Sequence, residues 1–89
     1  MKNVRELERV TKGVANHRRI AILSLLGRQP GLTLGDIADR LHINMKTAAE
    51  HLRRLAAAGL VEKRYEGRSV CHTLTSVGRN ILTFLRKLE

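Results

Sequence analysis

Between Leu34 and Leu74 the spacing of apolar residues changes character, and those changes limit the folds open to this chain more than any other feature. In Leu34-Gly-Asp-Ile-Ala-Asp-Arg-Leu41, the residues Leu34, Ile37, Ala38 and Leu41 recur at helical spacing, and Thr33 with Asp36 forms a capping box with Asp in place of Glu. His42-Ile43-Asn44 interrupts the pattern as a short turn. Asn44 is suited to cap a second helix that runs to about Ala58 and closes at Gly59. From Leu60 the pattern alternates: Val61, Lys63 and Tyr65 against Glu62 and Arg64, then Val70, His72 and Leu74 against Ser69, Cys71 and Thr73, about a turn at Glu66-Gly67-Arg68.

Helix, tight turn, helix and hairpin in that order predict a mainly α fold with a small β-hairpin, a helix-turn-helix with a wing. At about 100° per residue, Ala48, Leu52 and Leu55 share one narrow arc of the helix 44–58, with Met45 and Ala56 beside them and His51 on the boundary. Lys46, Thr47, Glu50, Arg53 and Arg54 fall on the far side. A helix anchored on one face and free on the other is what a DNA major groove admits. Its first turn behind Asn44 offers free backbone N–H groups to a phosphate, and Lys46 and Thr47 lie nearest the base edges. Glu50 can accept from a cytosine amino group, Arg53 or Arg54 can hold phosphate or guanine, and His51 can pack at the edge or donate to a phosphate. In the wing, Lys63, Arg64 and Arg68 cluster about the turn, with Arg68 placed to follow the minor groove or backbone. The plain alternative is a solvated face on which Glu50 pairs with Arg54 one turn on.

Charge agrees with a polyanionic partner. The 89 residues carry 17 Lys and Arg against 8 Asp and Glu, a formal net charge of +9. Two aromatic residues, Tyr65 and Phe84, are too few for the stacking platforms that hold single strands, so duplex DNA is favoured. No window approaches the roughly 20 apolar residues of a membrane span, and charges occupy the start where a secretory signal needs an apolar run. A cytoplasmic or nucleoid-associated protein is expected. The single cysteine, Cys71, excludes an intrachain disulfide, and His17, His42, His51 and His72 are scattered without ligand spacing, so no metal or other cofactor is expected. With no glycine-rich phosphate loop, paired carboxylates or nucleophile–His spacing, neither is an enzyme.

The length suits one domain, taken as residues 1–89 with a winged core over 16–75. Asn16 can cap a helix to about Gly27 that buries Ile20, Leu23 and Leu26, flanked by Ile22 and Leu25. Outside the core, residues 3–12 and 76–88 read as amphipathic helices, with Val4, Leu7 and Val10 in the first and Ile81, Phe84, Leu85 and Leu88 in the second.

From Asn16 to about Arg79 the chain resembles the ArsR-type winged-helix repressors and, more weakly, the MarR type. Asn16-His-Arg-Arg-Ile-Ala-Ile-Leu23 is similar to the family's opening helix, Leu34 to Leu41 to its first motif helix, and His51-Leu-Arg-Arg-Leu-Ala-Ala-Ala-Gly-Leu-Val61 to its most recognisable stretch; Glu66-Gly67-Arg68 matches its wing tip. The resemblance implies a transcriptional repressor that dimerises through its terminal helices and presents two recognition helices to a near-palindromic operator. Two of the family's metal-sensing sites lack their ligands: Thr33-Leu34-Gly35 stands at the Cys-x-Cys positions, and residues 76–88 hold no His, Asp or Glu. Ala49 and Glu50 replace a Ser-Arg pair of which the Ser often contacts phosphate, and His72 replaces a common aromatic residue.

Two other readings compete. A winged helix can serve as a protein-interaction module whose basic face meets an acidic partner. Alternatively, the DNA reader carries a sensor, with Cys71 as an exposed redox switch or a small ligand at the dimer interface.

Overall fold

The computed structural model describes residues 3–89 as five helices and a three-stranded antiparallel sheet. The order is α1 (Val4–Val14), α2 (His17–Arg28), β1 (Leu32–Thr33), α3 (Leu34–Leu41), α4 (Met45–Ala57), β2 (Val61–Glu66), β3 (Ser69–Leu74) and α5 (Ser76–Lys87). Helix starts follow their caps. Asn16 Oδ1 accepts from the Arg18 and Arg19 amides, and Asn44 Oδ1 from those of Lys46 and Thr47. The capping box closes in both directions, with Thr33 Oγ1 accepting from the Asp36 amide and Asp36 accepting from the Thr33 amide, each at 3.2 Å.

Helix α2 is the centre of the molecule and packs against α3, α4, α5 and β3. Its Ile22, Leu23 and Leu26 are fully buried together with Ile37, Leu55 and Leu60, each such side chain contributing about 1.5–3 kcal/mol on leaving water. Ile20, expected on this buried face, lies at its edge and is exposed. Helix α1 runs past the expected end at residue 12 and includes Gly13. There the glycine is a close contact, because any Cβ at Gly13 would clash with the Ala58 methyl. Arg9 holds the same junction by donating to the Ala57 carbonyl at 2.9 Å.

The sheet is larger than the expected hairpin. β1 pairs with β3 through Leu32↔His72 and Thr33↔Cys71, giving the order β1-β3-β2 and making β3 the central strand. Burial follows from that position. His72 is buried, with Nδ1 2.9 Å from the Leu32 carbonyl oxygen, and Cys71 is only 7% exposed. The redox-switch alternative needs an exposed thiol at Cys71, and the buried residue does not supply one.

The turn between α3 and α4 hinges on His42, the only non-glycine residue with positive φ among those described (φ 54°, ψ 44°). This is the left-handed C-cap, and its amide donates to the carbonyls of Ala38 and Asp39. A side chain is strained there and glycine is not. His42→Gly is expected to stabilise the fold by about 0.5–1 kcal/mol, net of the greater freedom of unfolded glycine; urea unfolding that shows a loss instead would remove the strain.

Candidate nucleic-acid interface

Helix α4 lies across the His42 turn from α3, and its packing decides which face remains free. Ala48, Leu52 and Leu55 are buried, while Lys46, Glu50, Arg53 and Arg54 are exposed and Thr47 and His51 are half-buried. Met45, expected beside the buried stripe, is 55% exposed. It is the first residue of the helix, and the packed stripe begins one turn later at Ala48. The N-terminal turn therefore presents Met45, Lys46 and Thr47 beyond the Asn44 cap. No acidic residue stands in that turn.

Farther along the same face, Glu50 is clamped by both arginines. Arg53 Nε and Nη2 donate to it at 3.1 and 2.7 Å, and Arg54 Nε at 3.0 Å. The Arg54 pairing is the one anticipated from spacing; the bidentate Arg53 pairing is additional. Hydrogen bonds from Arg53 and then Arg54 hold the Glu50 carboxyl down at about 2, although all three side chains are exposed. In the free protein, part of the positive charge on this face is thus already neutralised.

His51 sits where α1, α2 and α4 meet. Arg19 Nε donates to its Nδ1 at 3.2 Å, and Arg19 Nη1 reaches the carbonyls of Lys12 and Gly13 at 3.3 and 3.2 Å. An arginine only donates, so Nδ1 carries no proton and Nε2–H is the donor left on the ring. Burial first, and then the charges of Arg19 and Arg18, hold the His51 pKa below its usual 6.5. Because the folded value is depressed, the unfolded chain takes up the proton first as pH falls. Stability from this group is complete above pH 6.5 and declines below it. Urea midpoints measured from pH about 7.5 down to about 5 should fall, and His51→Gln should flatten that slope; an unchanged slope in the variant would locate the proton uptake elsewhere.

The same electrostatics bring His17 and Arg18 within range of His51, a cationic neighbour that periodicity alone did not identify. A signal was present. His17-Arg18-Arg19 opens α2 with no acidic residue in its first turn, against the helix dipole.

The wing closes on a two-residue loop, Gly67-Arg68, between the paired Glu66 and Ser69. Gly67 has φ 61° and Arg68 does not share the positive sign, the pattern of a type II′ hairpin turn. Lys63, Arg64 and Arg68 are all exposed, but the alternation of β2 separates them. Lys63 and Tyr65 share one face of the ribbon. Arg64 and Glu62 share the other, where they line a groove against α5.

An exposed, N-capped second helix set across a tight turn and flanked by a basic hairpin defines the winged helix-turn-helix class of DNA-binding proteins. Comparison with known proteins narrows this. Residues 14–64 match the family described as a helix-turn-helix domain. The transcriptional activator HlyU of Vibrio cholerae serotype O1 is 33% identical over 81 residues, covering 83% of this chain and 74% of that one. The structure of reduced HlyU from Vibrio cholerae superposes with a TM-score of 0.84 at 31% identity, covering 98% of this chain and 92% of that chain. A homodimeric winged helix-turn-helix DNA-binding domain from Mycobacterium bovis, described as a possible ArsR-family regulator, gives 0.85 at 30% identity, with 93% and 77% covered. The chain belongs to the ArsR-type winged helix-turn-helix transcriptional regulators. Among the described residues no helix is long and apolar enough to cross a membrane.

Proposed function

We propose that the protein acts in the cytoplasm as a dimeric, sequence-specific reader of double-stranded DNA, with α4 in the major groove and the β2–β3 wing on the adjoining backbone or minor groove. The observation that carries this reading is the division of α4 into a fully packed face and an exposed, N-capped basic face. Asn44 fixes the amides of the first turn, Lys46 and Thr47 meet base edges, and Arg53 and Arg54 exchange Glu50 for phosphate or base. His51 offers a neutral Nε2–H to a phosphate, and His17 and Arg18 extend the backbone contact from α2. In the wing, Lys63 and Arg68 make the contact, while Arg64 turns toward the groove against α5.

The dimer forms through α1 and α5. Val4 is 66% exposed, Phe84 57% and Leu88 66%, and Leu7 and Val77 are also uncovered; such an apolar surface is normally an interface. The Mycobacterium bovis relative is itself homodimeric. Repression follows if the bound dimer blocks access to a promoter. Selection from a random duplex library is expected to return near-palindromic sites with half-sites about one helical turn, roughly 34 Å, apart. Gel filtration at micromolar concentration should give the mass of two chains. Duplex binding that is undetectable at low salt, or indifferent to salt, would refute the reading and favour an acidic protein partner instead.

A further inference from the structure

Of the large apolar side chains on α4, Met45 alone is exposed, at 55%. It lies outside the core cluster to which Leu52 and Leu55 belong. A single uncovered apolar residue is ordinary on a protein surface, but the place of this one is not. Met45 directly follows the Asn44 cap and directly precedes Lys46, so whatever meets Lys46 lies beside it. At about 100° per residue, Met45 stands on the edge of the free face, between the buried arc and Lys46. Ala49, within about 40° of it one turn on, is half-buried and too short to hold the helix off a surface in front of it. Arg53, the next side chain around the helix, is held on Glu50, which lies farther from Met45. The edge formed by Met45 and Ala49 thus carries no charge.

On its other side Met45 borders a hollow shared with α3 and the His42–Ile43 turn. No Lys or Arg lines that hollow, whereas the Asp39 carboxylate does. A carboxylate repels phosphate, so this edge of α4 favours a base over the backbone. The open hollow also leaves the flexible methionine room to adapt its rotamer. In the major groove the bases present hydrogen-bonding edges and one methyl group, that of thymine. We propose that Met45 is a specificity-determining residue that reads the 5-methyl of a thymine in each half-site. The thioether covers the methyl and excludes water from it; cytosine, with only a hydrogen at that carbon, gives no such contact. Consecutive Cα atoms are about 3.8 Å apart and successive base pairs about 3.4 Å. The thymine therefore stands within about two base steps of the base that Lys46 reads. This inference rests on the reading of DNA by α4 proposed above and adds to it the identity of one base.

The test uses the full chain and a duplex selected from the random library, with each thymine of the half-site replaced in turn by deoxyuridine, symmetrically in both half-sites. Uracil pairs as thymine does and lacks only the methyl, and a change made in the DNA cannot disturb the folding of the protein. One thymine near the Lys46 position is expected to respond. Affinity there should fall about fourfold per half-site and about 15-fold for the dimer, the effect of returning one buried methyl group to water. 5-Bromouracil at that position, with a halogen of about methyl size, should restore most of the loss. Met45→Gln, similar in length but polar at its tip, should weaken binding to the thymine duplex and make thymine and uracil equivalent, whereas Met45→Leu should keep the distinction. A half-site with no thymine opposite α4, no thymine that responds to loss of its methyl, or a response unchanged in Met45→Gln overturns the inference and leaves the DNA reading standing. Absence of duplex binding at low salt defeats the DNA reading itself, and this inference with it.

Discussion

Gly78→Ala is expected to lower stability by about 3 kcal/mol, a fall in Tm of roughly 12–24 °C for a domain of this size. Any Cβ at Gly78 would collide with the Leu60 carbonyl oxygen. That oxygen accepts the Thr75 amide at 3.1 Å, while Thr75 Oγ1 donates to the Gly59 carbonyl at 2.6 Å and accepts from the Gly78 amide at 3.0 Å. The whole start of α5 is thus fastened to the link between α4 and β2, and backbone cannot yield as a flexible side chain would. Gly35→Ala makes the matched control. Nothing stands closer to its added Cβ than Thr33 Oγ1 at 3.9 Å, so the better helix former should add up to about 1 kcal/mol. Thermal melts of the two variants should move in opposite directions; a Gly78→Ala melt within about 2 °C of the parent would mean that α5 is not held at Leu60.

For DNA binding the largest loss should come from Lys46→Ala. Removing a base-edge contact costs about 1–2 kcal/mol per half-site, and in a symmetric dimer about twice that, a weakening of roughly 30- to 1,000-fold on the selected site. Arg68→Ala should behave differently. A backbone contact carries no sequence information, so affinity should fall by a similar factor on every duplex, and the salt slope should drop by about 1 per subunit. Titrations of selected and scrambled duplexes at several salt concentrations separate the two. If Lys46→Ala weakens both duplexes equally, α4 does not read bases through that residue.

The parts of this fold that were legible in the sequence are those in which one residue type does a local job. Asn16, Thr33 with Asp36, and Asn44 announce helix starts because a short polar side chain must satisfy the first amides, and Gly67 marks the hairpin because a positive φ is needed there. What depended on distant partners was not legible. β1 is two residues long, too short to show a period, and exists because β3 has an edge to pair with. The first helix was expected to end at residue 12, because what carries it through Gly13 is a contact with Ala58, beyond the end of α4 and distant in the sequence. On the binding face, the alternation of charged and apolar positions separated Lys46 and Arg53 from Leu52. It did not show that Arg19 holds His51, or that Arg64 and Lys63 look in opposite directions.

On the proposed reading of DNA by α4, the clamp on Glu50 has a consequence for how the protein searches. Arg53 and Arg54 carry their own counter-ion, so a phosphate approaching this side of α4 competes with a carboxylate already in place. Every sequence faces that competition equally, which weakens casual contacts along the duplex. Only a site that offers the displaced carboxylate a new donor recovers the exchange. A negative residue at the centre of a positive surface therefore acts as a brake on indiscriminate binding, and because the pair is exposed, the brake is light enough to be released.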